Sequence, residues 1–137
     1  MMPSRRVVVA LSLLTVTLAC APAVNSGAPE PVVVERLYFG RHRADTLIVT
    51  DSAWATFVTE VITPRFPAGL TVWSATGQWR DADGRIQREP SLVLELVLPA
   101  RAHDTDAAIA AIVAEYKRRF RQEAVLRVRM PAHAGYD

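Results

Sequence analysis

Cysteine is almost missing from this sequence: of 137 residues only Cys20 is one. That excludes an intrachain disulfide framework and any C-x-x-C metal or redox site. A membrane-spanning run is missing as well, because the apolar stretch of residues 7–19 counts 13 residues, against the roughly 20 that a helix needs to cross a bilayer. No G-x-G-x-x-G or Walker loop occurs, and no serine stands in a G-x-S-x-G elbow, so nucleotide cofactors and serine-hydrolase chemistry have no visible machinery. The three histidines, His42, His103 and His133, are dispersed without H-x-x-x-H spacing or cysteine partners. Neither a metal nor any other cofactor is therefore expected. An excess of one charge is also lacking once it is located. Sixteen Lys+Arg face 14 Asp+Glu, and Arg5 and Arg6 alone supply the net charge of +2. The rest of the chain is neutral and has no general electrostatic reason to seek nucleic acid or an anionic membrane.

What is present begins with an address. Arg5 and Arg6 precede the uncharged apolar residues 7–19, the pattern of an export signal. The stretch ends Thr17-Leu18-Ala19-Cys20, which resembles the lipobox of bacterial lipoproteins, with Thr17 where that family prefers Leu. Residues 1–19 are thus expected to be a lipoprotein-type signal peptide and Cys20 the lipidated N-terminus of an envelope protein. By the rules of that family Ala21 directs the anchor to the periplasmic side of the outer membrane in a two-membraned cell. An ordinary signal cut near Ala19 or Ala21 is the alternative. Residues 20–31, rich in Pro, Ala, Gly and Ser, read as a flexible tether, and residues 32–137 as a single domain.

Residues 32–39 (VVVERLYF), β-branched and aromatic, predict a strand ending at Gly40. A short extended piece is expected at residues 47–49. Asp51 or Ser52 then offers an N-cap to a helix whose Trp54, Phe57, Val58 and Val61 recur at i, i+3, i+4, i+7. Pro64 and Pro67 stop it. Residues 70–79 predict the second strand, with Trp73 and Trp79 on one face unless a bulge at Gly77 separates them. Asp83-Gly84 signals a hairpin. Residues 86–98 predict the third strand, interrupted at Pro90, with Leu92, Leu94, Leu96 and Leu98 on one face. A second helix starts near Asp104-Thr105-Asp106 and carries Ile109, Ile112, Val113, Tyr116 and Phe120. Its basic last turns (Lys117, Arg118, Arg119, then Arg121) read as a solvated helix end that complements the dipole. Residues 125–130 close the domain as a strand, with Leu126, Val128 and Met130 expected to face the helices. The order β-α-β-β-α-β predicts an α+β, ferredoxin-like sandwich: a four-stranded antiparallel sheet with two helices on one face.

The string Val61-Ile62-Thr63-Pro64-Arg65-Phe66-Pro67-Ala68-Gly69-Leu70-Thr71-Val72 is followed by Gly77-Gln78-Trp79-Arg80, Arg88-Glu89-Pro90-Ser91 and Tyr116…Phe120…Gln122-Glu123…Val125-Leu126. Together these resemble a family of small exported bacterial proteins known as domain of unknown function number 3574. Ala124 stands where that family's pattern has Ser. The resemblance implies no activity, substrate or cofactor.

Two groups of residues are candidates for function. Arg65, Gln78, Trp79, Arg80, Arg88 and Glu89 gather polar and charged groups around the hairpin. Their plain reading is a structural cross-strand pair. Their functional reading is a small anionic or polar ligand held by Arg65 and Arg80 over Trp79. The second group is the helix-free sheet face, expected to carry Arg36, Tyr38, Val93, Glu95, Val97, Val125, Arg127 and Arg129. Valines and a tyrosine among charges of both signs suit an interface with an envelope partner or a second copy. The function that fits is non-enzymatic binding of a protein partner or small polar ligand. The alternative is a cofactor-free enzyme of the dimeric α/β-barrel type with an apolar pocket between paired sheets, which rests on fold analogy.

Overall fold

The computed structural model describes residues 28–43, 46–80 and 83–135; the expected signal, Cys20 and most of the expected tether lie outside them. Strand β1 (Glu30–Gly40) leads into a two-residue ladder, β2 (His42–Arg43) with β3 (Thr46–Leu47). Helix α1 (Asp51–Phe57) runs on as a π-helical turn, Val58–Ile62. Strands β4 (Thr71–Arg80) and β5 (Ile86–Pro99), helix α2 (Thr105–Phe120) and strand β6 (Leu126–Ala134) complete the order. The sheet runs β4-β5-β1-β6 with every neighbour antiparallel, so the first and third long strands are central. This is the expected ferredoxin-like sandwich.

The helices cover one face because their apolar stripes meet the alternating apolar set of the central strands. Leu37 and Phe39 from β1 and Leu92, Leu94 and Leu96 from β5 join Trp54, Phe57, Val61, Ile62, Ile109, Ile112 and Tyr116 in one buried cluster. Its centre is aromatic. Phe57 lies edge-on to Tyr116 at 5.3 Å and to Phe120 at 5.7 Å, and Phe39 packs on Tyr116 at 4.6 Å. The Tyr116 hydroxyl donates to the Gly40 carbonyl at 2.8 Å. Burial pushes the phenol well above its ordinary pKa, nearby Glu89 adds to that, and Arg41 opposes it.

Several local expectations are corrected. The N-cap of α1 is Thr50, whose Oγ1 accepts from Ala53 N at 3.2 Å, while Asp51 is instead bonded to Arg41. Strand β5 is not interrupted at Pro90. The Pro90 carbonyl accepts from Arg41 N just past the end of β1, so its missing N–H points to the same side, where no ladder partner waits. Strand β6 runs on through Pro131 to Ala134, as an edge strand with one unpaired side can. No bulge breaks β4, whose pairing runs unbroken from Thr71↔Glu95 to Arg80↔Ile86.

The largest correction concerns which way β6 faces. Its register sets Arg127 opposite Leu37 and Arg129 opposite Glu35, so both arginines lie on the helix side. Leu126, Val128 and Met130 take the open face, opposite Tyr38, Arg36 and Val34. The reason is Glu35, fully buried on the helix side and bonded by Arg127 through both oxygens at 2.8 and 2.7 Å. Arg129 adds a contact at 3.3 Å, and Asp106 in the first turn of α2 bonds both arginines. A buried carboxylate needs cations beside it, and that need outweighs hydrophobic alternation in an edge strand the helices cover incompletely. Arg127 is the main cause of the lowered Asp106 pKa.

The β4–β5 hairpin turns at Gly84, whose φ of +82° is left-handed backbone, with open space around a Cβ built there. Gly84→Val is therefore expected to destabilise through the backbone alone, by more than about 1 kcal/mol. Thermal unfolding measures it, and an unchanged melting temperature would show that the turn does not need that conformation.

Candidate functional site: the open sheet face and its hairpin arm

Alternation sorts the polar candidates into separate places. Gln78 pairs with Arg88, and by register Gln78, Arg80 and Arg88 share the helix side of the hairpin, while Trp79 and Glu89 lie on the open side. Trp79 is thus no floor for a ligand of Arg80, and Arg80 cannot reach Glu89 as a cross-strand partner. Arg80 instead donates to the Gly84 carbonyl at 2.6 Å. Glu89 turns along the sheet and accepts from His42 N at 3.0 Å. Arg65 stands apart from all five, donating to the Val61 carbonyl at 2.7 Å. It lines a surface groove of about 460 Å³ beside α2, where Glu60, Glu115 and Arg118 surround Val61 and two alanines. Two of the four cations at the basic end of α2 are neutralised locally. Arg118 and Arg119 both bond Glu115, which holds that carboxyl below its usual pKa, and Arg119 also reaches Glu60.

Beyond Gly40↔Ser91 the strand β1 has ended, so residues 76–80 and 86–90 continue as a two-stranded arm. Gln78, Arg80 and Arg88 on one side and Trp79 on the other are all exposed, with Trp79 at 56% and Ile86 at 47%. An unsupported two-stranded ribbon is marginal in water. Strand β4 is also a sheet edge with no charge or proline before Arg80, whereas β6, the opposite edge, carries Arg127, Arg129 and Pro131. Charged and proline residues are the usual protection of an edge.

The open face is the second group of candidates. Arg36, Tyr38, Val93, Glu95 and Val97 lie there; Arg127 and Arg129 do not. Across the sheet, Trp73, Val93, Tyr38 and Leu126 form one row, Thr71, Glu95, Arg36 and Val128 the next, and Val97, Val34 and Met130 a third. Val93 is fully buried although no helix covers it, whereas Val97 and Leu126 stay 52% and 61% exposed. One ion pair crosses this apolar field. Arg36 bonds Glu95 and lies 5.5 Å from the centre of the Trp73 ring. Glu95 first, then Tyr38, raise the Arg36 pKa. Sequence reading missed Leu126, Val128 and Met130 here; the available signal was Glu35, a lone acid in a valine run that calls for opposite charge on its own side.

Fold and site together define a ferredoxin-like α+β domain with a largely apolar sheet face that neither helix covers and a projecting arm. The chain belongs to the family of proteins of unknown function DUF3574, which it matches over residues 34–136. No curated protein matches it. Among solved structures it is similar to a phage SAM lyase in complex with S-methyl-5'-thioadenosine. The identity is 14% and the TM-score 0.58, over 83% of this chain and 97% of that one. The apo phage SAM lyase is similar at 16% identity and a TM-score of 0.56, over 78% and 86%. These likenesses show a shared fold. Among the described residues no helix is long and apolar enough to cross a membrane.

Proposed function

We propose that this protein is an exported, lipid-anchored interaction domain that works as a homo-oligomer, its open sheet face buried against a second copy. The composition of that face carries the reading. A solvated sheet face is polar, yet this one presents Val34, Trp73, Val97, Leu126, Val128 and Met130. Its central charges, Arg36 and Glu95, already neutralise each other, so burial leaves neither uncompensated. A two-fold axis through the pair would let each Arg36 also meet the other copy's Glu95, as self-complementary interfaces do. Four strands about 4.8 Å apart and about 27 Å long give roughly 500 Å² per copy before side-chain relief. Two copies reach the roughly 1,000 Å² that a specific interface needs.

Sedimentation tests the assembly. The wild-type protein is expected as a dimer or higher oligomer, and Val97→Glu with Leu126→Glu, both at exposed positions, as a folded monomer. A wild-type monomer at high concentration would overturn the reading. The anchor is tested by Cys20→Ser, expected to release the protein from membranes or leave a full-length precursor. A mature N-terminus at Ala21 or later would refute lipidation.

The second reading is enzymatic: an assembled pair of faces enclosing a small-molecule site. The fold shared with a lyase along nearly all of that lyase's length favours it. Incubation with SAM, followed for S-methyl-5'-thioadenosine by mass spectrometry, decides it; no product at any protein concentration leaves the binding reading alone.

A further inference from the structure

We infer that β4 is a pairing edge, along which face-assembled copies join by antiparallel β4–β4 addition about a two-fold axis at Thr76. Nine of its ten residues are exposed, and among the described residues no strand lies beyond it. From Thr71 to Trp79 no charge or proline interrupts it, although such residues are what normally blunts an edge. Its free hydrogen-bonding groups follow from the other side of β5. The Pro90 carbonyl accepts from Arg41 N, and Ala100 N donates to the Pro31 carbonyl, so the even-numbered residues of β5 bond β1. The odd-numbered ones therefore bond the odd-numbered residues of β4, their register partners. Val72, Ser74, Thr76 and Gln78 are left with N–H and C=O groups directed away from the sheet. That is a complete row of donors and acceptors for a fifth strand.

The strand is complementary to itself, which makes a second copy its occupant. Identical strands pair antiparallel about an axis perpendicular to the sheet, so residues of one face stand opposite each other. With the axis at Thr76, each Trp73 meets the other copy's Trp79, Ser74 meets Gln78, and Ala75 meets Gly77. Aromatic pairs of this kind are favoured across strands. Moving the axis to Ala75 would set each Trp73 over a glycine instead. Arg80, opposite Val72, falls at the two ends of the junction, far from its own copy. The arm also gains what it lacks. Residues 76–80 of one chain lie against 72–76 of the other, and a third strand is what a two-stranded ribbon needs in water. Both indoles lie on the open face, so the junction carries the apolar field from one copy to the next. The inference rests on the face assembly proposed above, because the indole pairs are covered only when a second sheet lies over them.

Sedimentation of the full chain tests the junction. The wild type is expected as a tetramer or larger, and Thr76→Lys as a dimer, since like charges would then meet at the axis. Thr76→Pro, which removes one outward N–H, should also stop at the dimer, and Thr76→Lys, which keeps it, guards against a misfolded proline variant. Thiol crosslinking in full chains carrying Cys20→Ser reads the register. Opposed residues without mutual hydrogen bonds have Cα atoms about 4.5 Å apart, within disulfide range. A Cβ at Gly77 meets only the Glu89 carbonyl, at 3.9 Å. Ala75→Cys mixed with Gly77→Cys should form the mixed disulfide at least tenfold faster than either forms its own. A wild type that stays dimeric would leave the edge to another chain and overturn this inference but not the face assembly; a wild-type monomer would overturn both. Unchanged size in both Thr76 variants, or crosslinking without preference for the mixture, would also overturn it.

Discussion

Arg127→Met is expected to destabilise the fold by about 3–5 kcal/mol, the usual cost of leaving a buried charge without its partner. Glu35 is fully buried and receives both of its short bonds from Arg127. Arg129, about half exposed and 3.3 Å from the same oxygen, replaces only part of that. Arg129→Met should accordingly cost much less. Pairing Arg127→Met with Glu35→Leu should recover most of the loss, since removing both charges of a buried pair is often near neutral. Chemical denaturation of the four proteins tests the set. Equal losses for the two arginines would mean that Glu35 does not depend on Arg127.

Phe57→Ala should cost a similar about 3–5 kcal/mol, but through a cavity instead of a charge. Phe57 has no exposed surface, and its ring meets Phe39, Trp54, Tyr116 and Phe120. Those neighbours come from β1, α1 and α2, so no single side chain can collapse into the void. Phe57→Leu should retain more than half of the lost stability. A loss below about 1 kcal/mol in calorimetry would show that the aromatic cluster rearranges freely.

The helices and the central strands were legible because their periods are unambiguous. Leu92, Leu94 and Leu96 alternate cleanly, and Trp54, Phe57 and Val61 fall on one helical stripe, so both core faces follow from spacing. The last strand was not legible by the same rule. In Val125-Leu126-Arg127-Val128-Arg129-Met130 the apolar set Leu126, Val128 and Met130 looks like the inner one, and hydrophobicity alone puts it inward. What reverses it is Glu35, 92 positions earlier than Arg127, a pairing that local pattern cannot register. The hairpin candidates failed as a group for a simpler reason. Trp79 and Glu89 have odd numbers and Gln78, Arg80 and Arg88 even ones, and Gly77↔Glu89 register places odd opposite odd, splitting them between two faces. Position along the chain had gathered them; the pleat separates them.

The place of β1 in the sheet also governs when this protein can fold. The first long strand is central, and its two neighbours are β5 and β6, the latter the last strand of the domain. During synthesis β1 has no β6 edge to bond until the final strand has left the ribosome. The pairing that closes the sheet joins Glu30 to Ala134, nearly the largest separation the domain offers. Completion of the sheet thus waits for β6 and is governed by distant contacts, which belong to the slower class of small domains. Until then one edge of the central strand β1 stays unpaired.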